Sequence, residues 1–236
     1  MPMQRRDFLS GCGAAFGLAG FGAVGEALAS TTPRVYERSL LIDEHGEPFK
    51  ASVLPANTNY VFQYPYAATP CFLLNLGHPA AATASLRRAD GEVYPWDGGT
   101  GPSRSIVAFS AICAHKLAYP TRDVSFIRFQ RDRSPTSDGN VIHCCADHSV
   151  YDPAAGARVV SGPAPQPLAA ILLEYDPSRD ALYALGTVGA EQFDPFFRKY
   201  DFKLALEYGS GKAKVPIGPT TVVREMTQYC RQTIQC

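Results

Sequence analysis

The chain has 236 residues, with 22 Lys+Arg against 22 Asp+Glu and a formal net charge of zero, which argues against a nucleic-acid binder, a class that carries a basic excess or stripe. Hydrophobic residues make up 46% and charged residues 19%, enough for a packed core and too apolar for a long disordered region. Gly 20, Pro 19, Tyr 12 and Phe 13 favour many short strands over a helical bundle, so the expectation is one main, mostly β domain with an appendage.

Residues 1–29 open with Arg5-Arg6, run through Phe8-Leu9 into a Gly/Ala-rich apolar stretch and end at Ala27-Leu28-Ala29. A twin-arginine pair before a mildly apolar run and an A-x-A site reads as an export signal for proteins that cross the membrane already folded. Gly11, Gly13, Gly17, Gly20 and Gly22 would make a poor soluble helix. Leu9-Ser10-Gly11-Cys12 resembles a lipoprotein cleavage box, but almost no apolar segment precedes Cys12. Residues 8–25, about 27 Å long as a helix, reach just far enough for a retained anchor. Cleavage after Ala29 and retention in the inner membrane both stay open. Either way the expected destination is the periplasm, where disulfides persist, and folded export points to a cofactor inserted beforehand.

From residue 30 onward, short apolar or alternating runs at 35–42, 71–76, 105–113, 124–130, 141–144 and 170–175 have strand character. The turn residues 176–180 between two apolar runs predict a hairpin, and Gly91 closes another candidate turn. Residues 131–140, RDRSPTSDGN, read as an exposed insertion between strands. A short helix is expected at 193–200, and residues 187–236 read as a C-terminal extension packed on the body.

The chemistry sits in two segments. Cys113-Ala114-His115 is a C-x-H pair just past a strand, and Cys145-Ala146-Asp147-His148 is a C-x-x-H pair. Together they offer two Cys and two His, a mixture that suits a [2Fe-2S] centre with both Cys on one iron and both His on the other. Neutral imidazole in place of thiolate raises the potential of such a centre to roughly −150 to +300 mV, against about −400 mV for all-Cys plant-type clusters.

These two boxes resemble the Rieske iron-sulfur family, and the resemblance extends beyond the ligands. Cys113, His115 and Pro120 fall in register with the family's first box. After the second box come Ser149-Val150-Tyr151-Asp152, a turn at Gly156, and the loop Ser161-Gly162-Pro163-Ala164-Pro165-Gln166-Pro167-Leu168, similar to the family's Pro-rich loop. The match covers about residues 105–186. It implies an antiparallel β-sandwich over residues 30–186 with a small cluster-binding subdomain, cluster loops at 111–120 and 143–152, and a Pro loop at 161–168. The implied ligands are Cys113, His115, Cys145 and His148. The resemblance places Ser149 and Tyr151 as hydrogen-bond donors to the cluster or its thiolates, with Pro163 beside them.

The second box departs from the family pattern by one residue. Aligning on Ser149-x-Tyr151-Asp152 puts Cys144 and Asp147 at the ligand positions, whereas aligning on C-x-x-H puts Cys145 and His148 there. The second alignment is preferred here because it keeps a thiolate and an imidazole and because Asp is a poor substitute for His; Cys144 remains the competitor for Cys145. The disulfide that joins the two cluster loops in many members is absent, its positions being Ala118 and Asp147.

His143 reads as a strand residue, His45 and His78 as solvent histidines in turns, and Trp96 as core. Cys230 and Cys236 suggest a disulfide with each other, or from one of them to Cys71; Cys71, Cys144, Cys230 and Cys236 allow three connectivities. With no nucleophile constellation, nucleotide loop or second metal motif, the reading is a periplasmic electron-transfer protein or subunit without a catalytic site of its own. It would pass single electrons between a molybdenum oxidoreductase or quinol-oxidising complex and a c-type cytochrome, with His115 and His148 as docking point and electron gate. The alternative is an exported β-domain with a structural Cys2His2 zinc site, acting as a binding module. A cytosolic Rieske ferredoxin is opposed by the export signal, and an oxygenase by the shortage of spare His.

Overall fold

The computed structural model describes residues 33–236. The export signal expected at residues 1–29, with its alternatives of cleavage, lipidation at Cys12 and anchoring, lies outside the described residues. Among the described residues no helix is long and apolar enough to cross a membrane.

Six strands precede the first Cys/His loop: β1 (Arg34–Ile42), β2 (Tyr60–Gln63), β3 (Pro70–Asn75), β4 (Ala84–Arg87), β5 (Val93–Trp96) and β6 (Ile106–Ser110). Strand β5 alternates exposed and buried residues along VYPW, as a half-buried strand must. In β3 and β6, PCFLLN and IVAFS, every residue but Asn75 is buried, so both strands are covered on both faces. Between the two cluster loops and just after them come β7 (Val124–Ser125), β8 (Ile127–Gln130), β9 (Val141–Cys144), β10 (Ser149–Asp152) and β11 (Arg158–Ser161). The run expected at 124–130 breaks at Phe126, where the Ser125 hydroxyl donates to the Ile127 carbonyl at 2.6 Å.

The predicted hairpin is β12 (Ala170–Asp176) with β13 (Ala181–Val188), and β4 pairs with β5 across the Gly91 turn. Helix α1 (Phe193–Tyr208) runs eight residues beyond the predicted one, through non-helical dihedrals at Tyr200. The chain finishes with β14 (Thr220–Val222), β15 (Arg224–Glu225), α2 (Met226–Tyr229) and β16 (Gln232–Thr233).

The described residues are mostly β. Eight strands form one sheet in the order β14-β1-β13-β12-β6-β3-β2-β15. Only Val223 separates its two edge strands in sequence, and the Thr221 hydroxyl of β14 donates to the Gln63 carbonyl of β2 at 2.8 Å. The sheet therefore curls until its edges meet, which removes the free edges that a flat sheet would expose. The second sheet, β11-β10-β9-β8, carries the second cluster loop.

Alternation along β3 and β6 explains their double burial. Phe72, Leu74 and Phe109 pack with Trp96 and with Ile127, Ile142 and Tyr151 of the smaller sheet. Cys71, Leu73 and Ala108 pack on the opposite face with Leu41, Phe62 and Leu182. Trp96 is core, whereas His45 and His78 are exposed, and residues 131–140 form a largely exposed loop. Residues 187–236 are threaded through the body: α1 packs Phe196 edge-on against Tyr119 of the first cluster loop, ring centroids 4.8 Å apart, and β14, β15 and β16 each pair with an earlier strand.

Candidate metal centre

The first loop leaves β6 and turns back on itself. The Cys113 N–H bonds the Ala118 carbonyl at 2.9 Å and the Leu117 N–H bonds the Cys113 carbonyl at 3.0 Å. This turn buries Cys113 and leaves the His115 side chain 36% exposed.

The second loop is the four-residue turn of the β9–β10 hairpin, closed by the pair Cys144↔Ser149. Its His148 N–H bonds the Cys144 carbonyl at 2.7 Å, and His148 adopts φ +59°, the left-handed conformation needed to re-enter β10. The Pro loop passes directly over this point. A Cβ on Gly162 would lie 2.3 Å from the His148 carbonyl oxygen, so only glycine permits that approach. Pro163 itself is exposed.

Period-two alternation through the hairpin sorts the side chains. Cys144, Ile142, Ser149 and Tyr151 occupy paired positions, Cys144 opposite Ser149 and Ile142 opposite Tyr151, whereas His143 pairs with Val150 on the other face. Cys144 is therefore buried beside the first loop, and its sulfur, that of Cys113 and a carboxylate oxygen of Asp147 lie within 4.8 Å of one another. Asp147 Oδ2 is 3.4 Å from Cys113 Sγ and 2.8 Å from His115 Nδ1, and Asp147 Oδ1 accepts from the Ser149 N–H at 3.0 Å.

Cys145, one residue along, takes the opposite side and is bonded to Cys236. The expected ligand pair Cys145 and His148 is thus not brought to Cys113. His148 is exposed, and its ring stands 5.8 Å from that of His143. A second group, His143, His148 and Cys236, also lies within 4.8 Å, but its sulfur is taken up in the disulfide. The expected bridge Cys230–Cys236 is corrected as well. Pairing of β16 with β7 carries the C-terminus to the second loop, whereas Cys230 stays a buried thiol donating to the Gln232 carbonyl at 3.0 Å, and Cys71 a buried thiol donating to the Tyr64 carbonyl at 3.1 Å. The sequence signal that places Cys144 was the spacing to Ser149-x-Tyr151.

The electrostatics follow from this packing. The hydrogen bond from Cys144 and, against burial, that from the Tyr151 hydroxyl push the Cys113 thiol down to about 7, while the same pairing, burial and the Asp147 carboxylate hold the Cys144 thiol up. Burial opposes ionisation of Asp147, but the Ser149 N–H, the Cys144 thiol and His115 together hold its carboxyl below the ordinary value. Tyr151 OH accepts from the Ala114 N–H at 3.2 Å and lies 3.4 Å from Cys113 Sγ, positioned to donate to a thiolate there. Ser149 Oγ is fully buried and has no hydrogen-bond partner among the described residues.

No protein-family model matches the chain. Among solved structures, it is similar to the soluble domain of the Rieske protein II from Sulfolobus acidocaldarius, at 28% sequence identity over 64% of this chain and 78% of that one, with a TM-score of 0.45.

Proposed function

We propose that this chain is an exported Rieske-type [2Fe-2S] electron-transfer protein of the periplasm, carrying single electrons between a larger oxidoreductase and a cytochrome-type acceptor. The observation that carries the reading is the convergence of Cys113, Cys144, His115 and Asp147 from two loops capped by the Pro loop. The fit to a cluster rests on two further features. A buried hydroxyl without a partner, Ser149 Oγ, is a costly arrangement unless an acceptor faces it, and the sulfide of a cluster is such an acceptor. The sulfurs of Cys113 and Cys144 and a carboxylate oxygen of Asp147 also lie within 4.8 Å of one another, close enough to share one metal-bearing group.

Cys113 and Cys144 would hold the group from its buried side and His115 from its exposed side. Bound there, the cluster supplies one-electron chemistry at a potential set by its ligands and hydrogen bonds. The chain's own part is to exclude water with Tyr151 and the Pro loop, to donate from Tyr151 toward Cys113, and to present the His115 ring at the surface where a partner docks. Expulsion by the twin-arginine route, with cleavage or anchoring of residues 1–29, belongs to the same proposal.

A compact group of two sulfurs, one imidazole and one carboxylate also suits a single zinc ion, which makes a structural zinc site in a binding module the second reading. Metal and acid-labile sulfide analysis of the purified protein, with an electron paramagnetic resonance spectrum after dithionite reduction, separates the two. The proposal expects two iron and two sulfide per chain and a rhombic signal; zinc without sulfide or signal overturns it.

A further inference from the structure

We infer that Asp147, in place of a second histidine, is the fourth ligand of the centre, giving two thiolates, one imidazole and one carboxylate. The inference rests on the cluster reading above and concerns which side chains hold the group.

Three independent features of the second loop support it. The Asp147 carboxylate is positioned as a ligand: Oδ1 is fixed by the Ser149 N–H, and Oδ2 is turned toward Cys113 Sγ and His115 Nδ1. Its side chain is only 3% exposed, so the carboxylate is held between the two loops and away from solvent, where a ligand must sit.

The hairpin also moves the whole ligand register by one residue. Alternation that turns Cys144 toward Cys113 turns Cys145 away, and Cys145 is bonded to Cys236. The residue three positions after Cys144 is Asp147, so the C-x-x spacing is kept and the imidazole is replaced. His148, which would serve only in the Cys145 register, packs its ring toward the buried His143, on the side of the hairpin away from Cys144.

The chemistry is compatible with the substitution. Carboxylate joins histidine as a ligand of iron in facial-triad sites, so an oxygen donor beside His115 is no obstacle to iron binding. A carboxylate brings a negative charge that neutral imidazole lacks. It therefore favours the oxidised form and lowers the potential relative to a two-histidine centre.

Pulsed electron paramagnetic resonance on the reduced, full-length holoprotein carrying 15N-labelled histidine counts the coordinated imidazoles directly. We expect one strongly coupled histidine nitrogen in the native protein, unchanged in His148→Ala, and two in Asp147→His, whose midpoint potential should be higher. Asp147→Ala should lose most of its iron. Two couplings in the native protein, one of them lost in His148→Ala, would overturn the inference and leave the Rieske reading standing. So would an Asp147→Ala protein with native iron content and an unchanged spectrum. Iron and sulfide assay of the same samples tests the reading itself: a native protein with neither overturns both.

Discussion

Ser149 and Tyr151 share one strand face yet differ in what they do without a bound group. Tyr151 OH satisfies the Ala114 N–H and meets Cys113, so Tyr151→Phe should cost about 1 kcal/mol of stability even in metal-free protein, where a buried donor loses its partner. Ser149 Oγ satisfies nothing, so Ser149→Ala should leave metal-free stability unchanged or raised. In loaded protein both substitutions should lower the midpoint potential, because each removes a donor that favours the reduced cluster. Urea denaturation of metal-free protein and redox titration of the holoprotein check this; a Ser149→Ala potential equal to the native one would show that its hydroxyl faces no cluster. The family resemblance singled out both residues in the sequence, and the structure sets them on one face of β10. It left Cys144 against Cys145 undecided, because adjacent cysteines differ only in the face they take, and that depends on the register of the hairpin.

At the level of elements, the Cys145–Cys236 bond ties the chain end to the cluster loop across a sequence separation of 91 residues. A bridge over so long a loop restricts the unfolded chain, and its removal should cost about 2–5 kcal/mol. Cys236→Ser should therefore unfold at lower urea while binding its normal iron; unchanged stability would show that the bridge is not formed. This pairing was hidden from sequence because it depends on β16 adding in parallel to β7, a contact between two-residue strands with no periodic signal. The apolar runs were legible for the opposite reason: β3, β6, β9 and β13 are buried at all but one residue or fewer and so announce themselves. Helix α1 was read too short because its second half buries Leu204 but exposes Phe202 and Leu206, so its apolar residues mark no single face.

At the scale of the whole molecule, the last seventeen residues, 220–236, close the large sheet. Strands β14 and β15 cover the edges of β1 and β2, and Val223 between them packs into the core against Leu41 and Phe62. Deleting 220–236 removes both edge strands together with Cys236. The truncated protein should associate through its opened edges, seen as oligomers or aggregate by size-exclusion chromatography. A monomer with native circular dichroism would show that closure is dispensable. The tail thus belongs to the body that supports the site, more than its reading as an extension conveyed, because edge pairing leaves little trace in a sequence of three-residue strands.

The reading of the site turns on one assignment, that Cys144 faces the centre and Cys145 does not. Iron content per chain, measured side by side for Cys144→Ser and Cys145→Ser, tests it most directly. The account predicts that Cys144→Ser loses its iron while Cys145→Ser keeps it and releases Cys236 as a free thiol. Iron lost from Cys145→Ser and retained in Cys144→Ser would contradict it.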